Sequence, residues 1–269
     1  MENKVKAKKQ YGQNFLKDKN VINKIVSSAN IDSNMTVIEI GPGMGALTEE
    51  LIKVAKKAIC YEIDKDMVKI LNDKFANVDK DKIEIIEQDF LKANLTDKFS
   101  EKDNVTVVAN LPYYITTPIL LKILEELNFV KSITIMVQKE VAERLAGKPN
   151  TKDYNALSVL VQYRHQAKIL FDVSKKSFYP EPDVTSSVIQ ITRKENYLSA
   201  LSDDYFYKFN RNIFKQRRKT LVNNIKESYS YDRKDIENIL NDLSLDLKIR
   251  SESLSVEQII KLSDAFMKL

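Results

Sequence analysis

The chain has 269 residues, 43% of them hydrophobic and 30% charged, enough for one large α/β domain with or without a small appendage. One cysteine (Cys60) and one histidine (His165) exclude a disulfide framework and a Cys/His zinc cluster, and no metal site is expected. The net charge of +5 is modest but unevenly spread. No apolar run is long enough to span a bilayer, and the opening MENKVKAKKQYGQNF has no apolar stretch to serve as a signal peptide, so a cytoplasmic protein is expected.

Taken in chain order, Thr36–Ile40, Ala58–Ile63, Ile83–Glu87, Val105–Ala109 and Ile133–Val137 read as strands. Between them, Leu47–Ala55, Met67–Phe75 and Ile119–Leu127 carry apolar residues at helical spacing, and Thr117-Pro118 reads as an N-cap followed by an N1 proline. Strand and helix in alternation predict a doubly wound, mostly parallel sheet with helices on both faces, a Rossmann-like α/β fold. Tyr154–Gln162 reads as a further helix, and Gln166–Phe171 and Ser187–Thr192 as an antiparallel pair at the sheet edge. Beyond Arg193 the pattern is helical only: Asp203–Phe214, Lys219–Glu227, Lys234–Leu240 and Val256–Met267, the last opened by a capping box at Ser255 and Gln258. These patterns predict a nucleotide-binding domain over residues 1–194 and a small all-helical domain over 195–269.

Three of the five glycines, Gly41, Gly43 and Gly45, fall directly after the first strand and before a helix. That is where doubly wound folds bind ligands, and glycine there permits tight turning and close approach to the backbone. The loop is G-x-G-x-G rather than G-x-G-x-x-G, and Pro42 removes a donor that a pyrophosphate would use. Glu39, two residues before the loop, suits a cationic ligand such as S-adenosylmethionine, with its ammonium and sulfonium. Glu62, at the end of the second strand, is placed to accept from ribose hydroxyls, a role it would share with the acid of an NAD enzyme. Asp89, after the third strand, suits an adenine amine.

After the fourth strand comes Asn110-Leu111-Pro112-Tyr113, which resembles the N-[LIP]-P-[YF] motif of methyltransferases acting on planar nitrogens. An adenine amine is a weak nucleophile because its lone pair is delocalised into the ring. Two acceptors, the Asn110 side-chain oxygen and the Leu111 carbonyl, can hold both amine hydrogens and aim the lone pair at a methyl donor. Pro112 stiffens the turn, and Tyr113 offers a face on which the base can stack. Catalysis is then mostly positioning.

With these motifs the chain resembles the KsgA (RsmA) ribosomal RNA adenine dimethyltransferases over nearly its whole length. The resemblance rests on Gln13-Asn14-Phe15-Leu16, the Glu39–Gly45 loop, Asn110–Tyr113 running into Thr116-Thr117-Pro118, Gln138-Lys139-Glu140-Val141, Phe178-Tyr179-Pro180-Glu181-Pro182, FKQRRKT at 214–220 and RSESLS at 250–255. It implies a cofactor site of Asn14, Leu16, Gly41, Glu62, Asp89 and Asn110, to which the loop reading adds Glu39 and Gly43. It also implies that Phe178 stacks on the target base opposite Tyr113, in a sandwich around a flipped adenine. The implied reaction is four methyl transfers to two adjacent adenosines near the 3′ end of small-subunit rRNA, on an assembling 30S subunit. Glu181 departs from the family, standing where many members have another proline.

Two basic clusters point to a polyanionic partner. Residues 1–19 carry six lysines (4, 6, 8, 9, 17 and 19) against Glu2 and Asp18, and residues 205–226 carry seven cations and no acid, Arg211, Lys215, Arg217, Arg218 and Lys219 being the expected RNA contacts. Three other readings stand beside the first. One is a methyltransferase of the macrolide-resistance type acting on 23S rRNA, and another a ribosome-assembly factor whose methylation is secondary. The third is an NAD oxidoreductase, resting on the loop and Glu62 alone. Nothing in the sequence demands more than a monomer.

Overall fold

A computed structural model describes Lys8 and residues 11–269. Lys4, Lys6 and Lys9 of the first basic cluster lie outside the described residues. By compactness the chain divides into two units, one of residues up to Ala142 with Lys168–Thr192, the other of Glu143–Ala167 with Arg193–Leu269.

In chain order the elements are β1 (Phe15–Leu16), α1 (Lys19–Ser28), β2 (Thr36–Ile40), α2 (Ala46–Val54), β3 (Lys57–Glu62), α3 (Lys65–Lys74), β4 (Ile83–Glu87), β5 (Val105–Asn110), α4 (Thr116–Glu126), β6 (Val130–Gln138), α5 (Lys139–Leu145), α6 (Ala156–Arg164), β7 (His165–Val173), β8 (Phe178–Tyr179) and β9 (Ser186–Arg193). Four helices complete the chain: α7 (Asp203–Ile213), α8 (Leu221–Ser228), α9 (Arg233–Asp242) and α10 (Val256–Met267).

Seven strands form one sheet in the order β4-β3-β2-β5-β6-β9-β7. The pairs β2–β3, β3–β4, β2–β5 and β5–β6 are parallel and β6–β9 is antiparallel, so the expected mostly parallel, doubly wound sheet is present. Strand order reverses at β2, which has β3 on one side and β5 on the other. The crevice at the carboxyl ends of β2 and β5 is therefore the topological switch point, where ligands bind in such folds. β2 and β5 are buried on both faces, as strands at the centre of a covered parallel sheet should be.

One sequence expectation needs correction. Thr117 is not the N-cap of α4: the helix begins at Thr116 after Ile115, and Pro118 occupies the third helical position. A proline is tolerated there because its missing N–H would have had no helical partner. The compact division places residues 143–167 with the helical unit. There Tyr163 packs on Phe206 of α7 with ring centroids 4.2 Å apart, Asn210 Nδ2 donates to the Ala156 carbonyl at 2.8 Å, and the Tyr154 hydroxyl donates to the Leu254 carbonyl at 3.0 Å. α6 thus buries its aromatic and aliphatic side chains against helices that follow it by 40 residues or more. The capping box of α10 is present as expected.

Candidate active site

A cavity of about 310 Å³ opens at the switch point. Its walls include Asn14, Leu16, Glu39, Gly41, Gly43, Glu62, Asp89 and Asn110–Tyr113, so every expected cofactor residue and the whole Asn-Leu-Pro-Tyr motif converge on one space.

The glycine loop joins β2 to α2 through three residues of positive φ, Gly41, Gly43 and Gly45. Gly45 has a second reason to lack a side chain. A Cβ there would stand 2.8 Å from Leu71 and from Phe75, so its absence lets α2 begin hard against α3. Gly43 donates its N–H to Glu62 Oε2 at 3.1 Å, and Glu62 Oε1 accepts from the Asp64 N–H at 2.9 Å. Glu62 thereby ties the loop to the end of β3, and burial raises its pKa above the ordinary carboxylate value. Each of its oxygens retains a lone pair for a ribose hydroxyl.

Glu39 is buried, 2% exposed, and accepts from the Thr48 hydroxyl at 2.6 Å and the Cys60 thiol at 3.6 Å. Burial pushes its pKa up to about 7, against the lowering effect of the two donors. A carboxyl so short of compensating charge fits a cationic ligand in the cavity it lines. Asp89 caps a single 3₁₀ turn, Oδ1 accepting from the Leu91 N–H at 3.0 Å, which leaves Oδ2 for a ligand amine.

Asn110 ends β5. Its Nδ2 donates to the Asn14 carbonyl at 3.1 Å, an arrangement that orients Oδ1 as the remaining acceptor of the amide. The Leu111 N–H is taken by the Met136 carbonyl at 3.2 Å, fixing the turn after the strand. The half-buried Tyr113 ring lines the cavity, with its hydroxyl 2.7 Å from Ser186 Oγ.

Phe178 is the other half of the expected sandwich. It is 2% exposed, does not line the cavity, and belongs to a core cluster with Leu16, Ile22, Ile25, Leu47 and Val188. In the two-residue pairing of β1 with β8 it stands opposite Leu16, which itself lines the cavity. Tyr179, the next residue, is 55% exposed.

Sequence reasoning missed a latch on the segment that crosses the cavity. Lys8 Nζ lies 2.6 Å from both Asp64 Oδ1 and Asp66 Oδ2, and Gln13 Nε2 donates to Asp64 Oδ2 at 2.8 Å. These carboxylates hold the Lys8 ammonium well above its ordinary pKa. Tyr11, Gly12, Gln13 and Phe15 all line the cavity. The only signal for this was the QNFL resemblance, since a two-residue strand has no periodicity to read.

In the helical unit, Arg211, Lys215, Arg217, Arg218 and Lys219 are all exposed. The turn carrying the last four is held by the Phe214 ring against Tyr154, by Asn224 Nδ2 donating to the Gln216 carbonyl at 3.1 Å, and by Arg217 Nη1 donating to the Lys152 carbonyl at 2.5 Å. None of those four cations is ion-paired among the described residues.

Fold and cavity together define an S-adenosylmethionine-dependent methyltransferase of Rossmann-like architecture. Residues 4–267 match the ribosomal RNA adenine dimethylase family, and the chain belongs to it. Among its relatives are proteins named ribosomal RNA small subunit methyltransferase A. That of Bacillus cytotoxicus is 44% identical, and that of Bacillus pumilus 45%, each over 97% of this chain and 91% of the relative. Of solved structures, a dimethyladenosine transferase from Plasmodium falciparum is similar at a TM-score of 0.78 and 26% identity, covering 94% of this chain and 98% of its own. The 23S rRNA methyltransferase ErmE is similar at 0.69 and 25%, covering 94% and 99%. The chain is thus an rRNA adenine dimethyltransferase.

Proposed function

We propose that the protein dimethylates the exocyclic amines of two adjacent adenosines near the 3′ end of small-subunit rRNA, acting as a cytoplasmic monomer on the assembling 30S subunit. Relatives at 44–45% identity named for the small subunit favour this over a 23S substrate, the similarity to ErmE being 25%. The observation that carries the chemistry is the Asn110 amide, whose donation to Asn14 leaves Oδ1 as an acceptor at the cavity wall.

S-adenosylmethionine supplies the electrophilic methyl group when bound. Glu39 would face its positive charge, Glu62 its ribose and Asp89 its adenine amine, with Asn14, Leu16, Gly41 and Gly43 forming the close-fitting wall. Asn110 Oδ1 and the Leu111 carbonyl accept the two hydrogens of the target amine, turning its lone pair out of the ring plane. Tyr113 supports the flipped base with its face, its ring held by the Ser186 contact. No general base need act before transfer, because the amine loses its proton afterwards. Residues 195–269 serve as the rRNA-binding part, with Arg211, Lys215, Arg217, Arg218 and Lys219 contacting phosphates.

Asn110→Ala tests this reading. It removes the aimed acceptor, and kcat should fall by about 100-fold or more while cofactor affinity falls far less. An Asn110→Ala enzyme that still transfers methyl at near wild-type kcat contradicts it. If the variant is inactive and subunit maturation stays normal, assembly is the protein's principal role.

A further inference from the structure

The β1–β8 pair has two faces. Leu16 and Phe178 stand opposite each other in the core, Leu16 also reaching the cavity wall, whereas Phe15 and Tyr179 stand opposite each other on the other face. Directly opposed residues of an antiparallel pair project to the same side with close Cβ atoms. Phe15 is buried, lines the cavity, and lies against the glycine loop, its ring 3.1 Å from where a Gly43 Cβ would be. Tyr179 therefore continues outward from a cavity-lining phenylalanine, and it is 55% exposed.

The same short segment is flanked by a second exposed ring. A Cβ on Gly12 would stand 3.0 Å from the Tyr114 ring, and Tyr114 is 56% exposed at the cavity mouth. Tyr114 and Tyr179 are the only aromatics among the large exposed hydrophobics of the described residues, and both adjoin Gly12–Phe15. Two cations lie beside β8. The Lys17 N–H donates to the carbonyl of Ser177, the residue after Lys176, at 2.9 Å, and both lysine side chains are exposed without a carboxylate partner among the described residues.

Aromatic faces alternating with cations are the chemistry that holds single-stranded RNA. The chain of a flipped adenosine is continuous, so its neighbours must leave at the cavity mouth. We infer that Tyr179 and Tyr114 stack on the nucleotides flanking the target adenosine while Lys17 and Lys176 contact their phosphates, making the β1–β8 pair the track that sets substrate register. This rests on the rRNA reading proposed above.

The test is steady-state methyl transfer to undermethylated small subunits, alongside the Kd for S-adenosylmethionine. Tyr179→Ala should raise KM for the subunit about tenfold, the worth of one stacked base, with kcat and cofactor Kd within about twofold of wild type. Tyr179→Phe, which keeps the ring, should restore KM. Replacing Lys17 and Lys176 together with alanine should make subunit binding less steep in log salt by about one to two. A Tyr179→Ala enzyme with unchanged KM overturns the track, as does a parallel rise in cofactor Kd or a Phe variant as defective as Ala. Failure of the wild-type protein to label the subunit would instead overturn the rRNA reading on which the track rests.

Discussion

Replacing Glu39 with glutamine should strengthen the fold and weaken the site at once. In the folded chain burial holds the Glu39 carboxyl at about 7 against an ordinary 4.5. The folded state therefore keeps its proton longer than the unfolded chain does, and stability falls as pH climbs from about 4.5 through 7. Near pH 8 the ionised group costs the fold about 3 kcal/mol, and near pH 5 less than about 1 kcal/mol. Glutamine removes the charge and keeps an oxygen to accept from Thr48. Urea denaturation of the cofactor-free proteins should show Glu39→Gln ahead by about 2–3 kcal/mol at pH 8, with the gap nearly closed at pH 5. Cofactor binding should move the other way. A cationic ligand favours the ionised acid, so wild-type affinity should rise about tenfold between pH 6 and 8, and the glutamine variant should bind weakly with a flat profile. A variant no more stable than wild type at pH 8, or a gap indifferent to pH, would refute the assignment of a strained, charge-seeking carboxyl.

Other perturbations probe the remaining parts. Phe178→Ala should lose about 3–5 kcal/mol of stability through the cavity it leaves, whereas Phe178→Leu should stay folded and active within a few-fold. A well-folded but inactive Leu variant would support the aromatic sandwich instead. Gly45→Ala should lower stability by about 1–3 kcal/mol, because its Cβ collides with Leu71 and Phe75 at a φ of 72°. Equal thermal stability would count against that packing. Lys8→Ala should open the latch on Asp64, making S-adenosylmethionine dissociate several-fold faster in stopped-flow measurements, most visibly at low salt; an unchanged off-rate would show that the segment closes without it.

The parallel strands were legible because each is a run rich in apolar residues between turn residues, and β2 and β4 coincide with their expected bounds. The glycine loop and the Asn-Leu-Pro-Tyr turn were legible because their chemistry is local, packed into consecutive residues. What escaped was non-local. β1 and β8 are two residues each and become strands only by meeting across more than 160 positions, so neither the facing of Phe178 nor that of Tyr179 could be read from spacing. The Lys8–Asp64 latch spans 56 positions and joins unremarkable charges. α6 carried a readable helical pattern, but its burial against α7 depends on partners about 40 residues away, which no local spacing reveals.

The central claim is tested most directly by offering radiolabelled S-adenosylmethionine with undermethylated 30S or 50S subunits and identifying the product nucleoside by mass spectrometry. The account predicts N6,N6-dimethyladenosine at two adjacent positions near the 3′ end of the small-subunit rRNA, and none in the large subunit. Label confined to 50S particles, or absent from both, would contradict it.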